Sequence, residues 1–173
     1  RVEHPQDLIN HIQYHGNCMP ELPAATYSLV HQADGRGVYS FCMCPGGIIV
    51  PAMTANNQTV VNGMSNSRRN SPFANSGMVV EIQTQDYADF QLYGVLAGLK
   101  FQEQFETLAF QNGGQNQVAP AQRISDFVRG KISCSIPETS YLPGVVTSPM
   151  HFWMPEIISK RLQEGLKTFD RQM

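Results

Sequence analysis

The sequence predicts an α+β fold, with an antiparallel or mixed sheet or small barrel in its first half and helices packed on it from its second. Two observations carry this. Between residues 26 and 84, short runs of β-branched and aromatic residues alternate with Gly, Asn, Asp and Pro clusters, the pattern of strands joined by tight turns. From residue 91 onward the apolar residues recur at helical spacing instead.

The elements follow in order. Pro5 suits the first turn of a helix whose Leu8, Ile9 and Ile12 share a face, with Gly16-Asn17 as its stop. A Pro-containing link over 19–23 leads into strands at Thr26–Gln32 and Val38–Cys44, separated by the turn residues Ala33–Gly37. Pro45-Gly46-Gly47 interrupts the second strand before Ile48-Ile49-Val50, Asn56-Asn57 turns the chain toward Thr59-Val60-Val61, and a further strand is expected over Met78–Thr84. Helices are expected over Gln91–Phe110, Gln122–Arg129 with Gly130 as its stop, and Glu156–Arg171, whose Ile158, Leu162, Leu166 and Phe169 form one stripe. Prolines 137, 143, 149 and 155 break the intervening chain into loops.

At 173 residues the chain fits one domain, long enough to bury roughly 70% of its unfolded surface. Only 15% of residues are charged, against roughly 25% in average soluble domains, so part of the surface is expected to meet other protein. The net charge of −2 with no run of one sign gives no footprint for nucleic acid. No apolar stretch approaches the roughly 20 residues that span a bilayer, and no signal peptide is visible. Four cysteines in a chain of this size point to a reducing, cytoplasmic setting. An opening on Arg1 suggests an excised domain.

Chemistry concentrates in Ser40-Phe41-Cys42-Met43-Cys44-Pro45-Gly46-Gly47. On a regular strand Cys42 and Cys44 share a face, with Cα atoms roughly 6.6 Å apart. That is the far end of the disulfide range, so the pair reads either as an easily reduced couple or as two buried thiols. Phe41 and Met43 would take the opposite face, which makes the strand covered on both sides. Gly46 and Gly47 allow close approach of the backbone to a flat or anionic group, or form a turn. Asn62-Gly63-Met64-Ser65-Asn66-Ser67-Arg68-Arg69 reads as a polar loop, prolonged by Ser71–Gly77, whose two guanidinium groups suit a carboxylate or phosphate. The five histidines have no metal-ligand spacing, no Gly-x-Ser-x-Gly elbow supports a triad, and neither Gly-x-Gly-x-x-Gly nor a Walker motif is present. Trp153 reads as a core or interface anchor.

One resemblance runs through these residues. His4-Pro5-Gln6, Leu22–Tyr27, Gly35–Gly47, Val61–Ser65, Ala74–Gly77, Ala119–Arg123, Asp126-Phe127 and Ser140–Gly144 occur in the order found in the uncharacterised FAD-dependent (NAD(FAD)-utilising) dehydrogenases of bacteria. The chain resembles the inserted middle domain of such a protein over nearly its whole length. The resemblance implies a parent oxidoreductase whose FAD lies in flanking Rossmann segments absent here, with NAD(P)H as a possible electron donor. It implies that residues 1–173 form a substrate or cap domain that shapes the pocket over the flavin, for a small-molecule substrate the family does not disclose. On that reading Cys42, Pro45, Gly46, Gly47, Asn62 and Gly63 face the cofactor, Arg68, Arg69 and Asn75 face the substrate, and Cys42 and Cys44 are the candidates for chemistry. No metal is expected. Two alternatives stand beside it: a non-catalytic protein-interaction module, and a stand-alone thiol redox domain using Cys42 and Cys44.

Overall fold

The computed structural model describes residues 1–17 and 21–173; the start of the predicted link at 19–23, and Cys18, lie outside them. The order is β1 (Val2–Pro5), α1 (Gln6–Gln13), β2 (Val30–Ala33), β3 (Arg36–Cys44), β4 (Gly47–Pro51), β5 (Val61–Ser65) and β6 (Phe73–Val80). A 3₁₀ segment over Thr84–Leu96 then leads to α2 (Ala97–Gln111), β7 (Ala119–Ala121), α3 (Ile124–Arg129), β8 (Val145–Thr147), α4 (Met150–Trp153) and α5 (Glu156–Gln172). The architecture is the expected α+β, with an antiparallel sheet from the first half and helices from the second.

Four strands pair antiparallel in the order β1-β6-β3-β2, while β4 and β5 form a separate antiparallel hairpin. The β2–β3 hairpin closes on Asp34-Gly35, both at positive φ (48° and 70°), the signature of the turn that matches strand twist. On the inner face, Val38 opposes Val80 and His31 opposes Val38. This face joins Ile9, Ala33, Ala74, Phe127, Leu162 and Phe169 in the buried core. Helix α5 lies close against it because Gly165 has no side chain: a Cβ there would come 2.6 Å from Cγ1 of Val38. The terminal stripe is thus core, as expected. Gly130, at φ 64°, stops α3 in the left-handed conformation that glycine takes freely.

Four expectations need correction. Strand β1, just ahead of α1, was not anticipated. The segment Asn62–Ser65 belongs to β5, and the strand expected at Met78–Thr84 is Phe73–Val80, so most of the supposed polar loop is sheet. Its Asn75 and Ser76 are wholly buried, and polar strand interiors carry no apolar alternation to betray them. The helix expected over Gln91–Phe110 begins only at Ala97; Gly94 at φ 56°, ψ −126° breaks it, and Leu92 and Val95 stand 78% and 102% exposed rather than facing the core. Finally, β3 lies inside the sheet, yet Phe41 is 57% exposed, so its outer face is open there.

Candidate functional site

The site is built where β3 loses its regular pairing. Phe41 opposes Gly77 and Cys44 opposes Asn75, leaving two residues of β3 against one of β6. This is a β-bulge, and Cys42 occupies it at φ 46°. The alternation that would put both thiols on one face does not hold through it. Cys42 is exposed and Cys44 half-buried, and both are free. The bulge also frees the carbonyl of Cys42 to accept from a side chain.

That side chain is Arg1. Pairing of Val2 with Ser76 sets Arg1 beside β6, and its guanidinium gathers four groups. Its Nε donates to Oδ1 of Asn75 at 2.8 Å, Nη1 to Oδ1 of Asn62 at 3.3 Å, and Nη2 to the carbonyl of Cys42 at 2.6 Å. The same Nη2 lies 3.6 Å from Sγ of Cys44. No carboxylate among the described residues pairs with it, so the cluster keeps a positive charge. Gly63 makes the arrangement possible: a Cβ there would fall 2.0 Å from Oδ1 of Asn75 and 2.5 Å from Nη2 of Arg1. Nδ2 of Asn75 is buried with no partner among the described residues, and an unmet buried donor is costly.

Of the residues singled out in the sequence, Cys42, Cys44, Asn62, Gly63 and Asn75 come together here. Arg1, which joins them, was missed, since a lone arginine at the head of a four-residue strand has no periodic signal.

Pro45, Gly46 and Gly47 do something else. The Gly46 amide donates to Oε1 of the buried Gln6 at 2.6 Å, its carbonyl accepts from Ser71 N at 3.2 Å, and the Pro45 carbonyl accepts from Ser65 Oγ at 2.8 Å. A Cβ on Gly46 would fall 1.8 Å from the carbonyl oxygen of Arg69, and one on Gly47 2.6 Å from that of Met64. The chain's own backbone occupies the room that these glycines leave. Arg68 and Arg69 sit exposed on the adjoining turn, and neither side chain joins the Arg1 cluster.

The Ser140–Gly144 segment braces the site from the other side. Glu3 accepts from Ser140 Oγ and from its amide, Ile49 N donates to the same Oγ at 2.8 Å, and buried Tyr141 donates to Gln117 O at 2.7 Å. Through Ser140, β1, and with it Arg1, is tied to β4. Among the described residues no three His, Cys, Asp or Glu side chains gather as metal ligands, and no helix is long and apolar enough to cross a membrane.

The domain is thus a curled antiparallel sheet that carries a cationic cluster at a bulge, with helices packed on the sheet. The chain belongs to the family described as FAD-dependent protein, C-terminal domain-like, which it matches over residues 1–173. It is also similar to an uncharacterized protein of Clostridium beijerinckii (strain ATCC 51743 / NCIMB 8052), with 40% identity over 178 residues that take in 100% of this chain and 33% of that protein. The chain spans about a third of the length of this relative.

Proposed function

We propose that this domain is the substrate-facing part of a larger FAD-dependent oxidoreductase, inserted between stretches that hold the FAD, and that it meets the flavin with the Arg1 cluster. The observation that carries the reading is the guanidinium of Arg1, held by neutral oxygens and a thiol with its charge unpaired, beside the exposed Phe41 and Cys42.

The donor set fits such a group. The pyrimidine edge of a flavin is rich in acceptor oxygens, and its ring supplies the hydride chemistry while gaining negative charge on reduction. Arg1 and the amide of exposed Asn62 offer donors and a fixed positive charge, which in a water-poor interface acts more strongly than in solvent, while buried Asn75 orients Arg1. Cys42 would contribute through its backbone carbonyl, which fixes the guanidinium plane. Gly63 holds space for Arg1. Arg68 and Arg69, outside the cluster, are free to meet an anionic substrate or the flanking domain. A nicotinamide cofactor as electron donor belongs to the same reading. Leu92, Val95, Leu96 and Leu99, all exposed, support contact with other protein, here the flanking parts of the same polypeptide; reducing cytoplasm is the matching compartment.

The test uses the longer protein. Arg1→Gln should leave it folded and flavin-loaded but lower the flavin's reduction potential and slow its reduction. Wild-type potential and rate in that variant would refute the role of the cluster. The 173-residue chain alone, incubated with FAD and desalted, should show no flavin absorbance.

A further inference from the structure

On the inner side of β1, a cavity of about 720 Å³ opens between the β4–β5 hairpin and helices α2, α3 and α5. Its size is within the range of small-molecule sites. Val61, Phe105, Trp153, Met154, Ile158 and Leu162 supply apolar walls. The indole is fixed by its Nε1 donating to Ser148 Oγ at 2.9 Å, with Phe105 packed at 6.2 Å.

Of the charged residues at its border, Glu138 is exposed to solvent and the others are held by the protein. Glu3 is engaged by Ser140, Arg123 donates to Ser135 O at 2.8 Å, and Arg1 belongs to the cluster above. Burial pushes the imidazole of His4, another lining residue, below its ordinary value of 6.5, so it is neutral at pH 7. Among the described lining residues one buried side-chain polar atom is left without a partner. Thr59 lines the cavity, its amide is spent on Glu106 O at 3.1 Å, and its buried hydroxyl has no partner among the described residues. A hydroxyl left unmet in an apolar wall is disfavoured unless something occupies the cavity and pairs with it.

We infer that this cavity binds an uncharged, mainly apolar small molecule that presents a hydrogen-bond acceptor to Thr59. Apolar walls give the affinity and the single hydroxyl gives the orientation. The apolar walls favour an uncharged ligand, because an ion set against them would lose its hydration with no partner in return. The inference does not rest on the flavin reading: Arg1 stands at the border of both sites, but neither the apolar walls nor Thr59 belongs to its cluster.

The probe is 2,3-dimethyl-1,4-naphthoquinone, whose carbonyls are acceptors and whose substituted ring leaves no position for a thiol to add. Trp153 is the only tryptophan of the chain, so titration of the 173-residue protein should quench its emission saturably, with one site. In methyl NMR spectra Met78, Met150 and Met154, which line the cavity, should shift, while the exposed Met64 should not. Thr59→Val should raise the quinone Kd about five-fold, the loss of one neutral hydrogen bond. It should leave 2,3-dimethylnaphthalene, which has no acceptor, within about two-fold of wild type. Quenching that never saturates, or shifts centred on Met64, would overturn the site. Equal effects of Thr59→Val on both ligands would overturn the acceptor assignment.

Discussion

Arg1 and Asn75 lie 74 positions apart in the chain and are joined by a 2.8 Å hydrogen bond from Nε to Oδ1. The bond orients the guanidinium plane, and Asn75 is itself immobilised by complete burial between the β1 and β3 pairings. Residues from four strands or their margins thereby converge on one cationic group.

Gly63→Ala tests that convergence. The new methyl would overlap both Oδ1 of Asn75 and Nη2 of Arg1, and Asn75 cannot retreat from a packed strand, so Arg1 must leave. Urea denaturation should show a loss of about 2–3 kcal/mol, the scale of an overpacked core site. Displacing Arg1 should also speed alkylation of Cys44. A variant as stable as wild type, with unchanged labelling, would mean that the cluster is loosely held.

The thiols should separate by exposure. Timed alkylation with peptide mapping should modify Cys42 and Cys134, both exposed, before half-buried Cys44. In the longer protein, replacing Cys42 and Cys44 together by Ser should leave flavin reduction by nicotinamide measurable, because the carbonyl that Arg1 uses is backbone. Complete loss of reduction in a folded, flavin-loaded double variant would assign the thiols to the reaction.

Asp86 gives a pH dependence. Arg36 grips its carboxylate with two bonds, at 2.5 and 3.0 Å, and these hold its pKa below the ordinary 3.8. A lowered folded pKa stabilises the protein above the unfolded value, and that contribution disappears as pH falls from 3.8 through the lowered one. Glu81, lowered mainly by its bond from the Gly37 amide, acts with the same sign. Urea midpoints should therefore fall on acidification in this window. Asp86→Asn should be less stable at pH 7, since it leaves Arg36 buried without its countercharge, and its acid limb should be flatter. An acid limb as steep as wild type would remove Asp86 from the account.

The sequence by itself determined what local patterns encode. The α5 stripe, the Asp34-Gly35 turn and the Gly130 stop each satisfy a short-range rule, and each stands in the structure as read. The Phe41–Gly47 run pointed to a FAD-dependent family, and Asn62, Gly63 and Asn75 already lay among the residues marked for function. Tertiary structure decided what those residues touch. Arg1 acquires its role only when β1 pairs with β6, a contact that no nearby residue announces. The polar β6 looks like loop until Asn75 and Ser76 are buried by neighbours far along the chain. The Cys42 bulge comes from a pairing register, which two strands must set jointly, and it is the bulge that turns the Cys42 carbonyl toward Arg1. A residue's periodicity is a property of its own segment, whereas its hydrogen-bond partner across a sheet belongs to another.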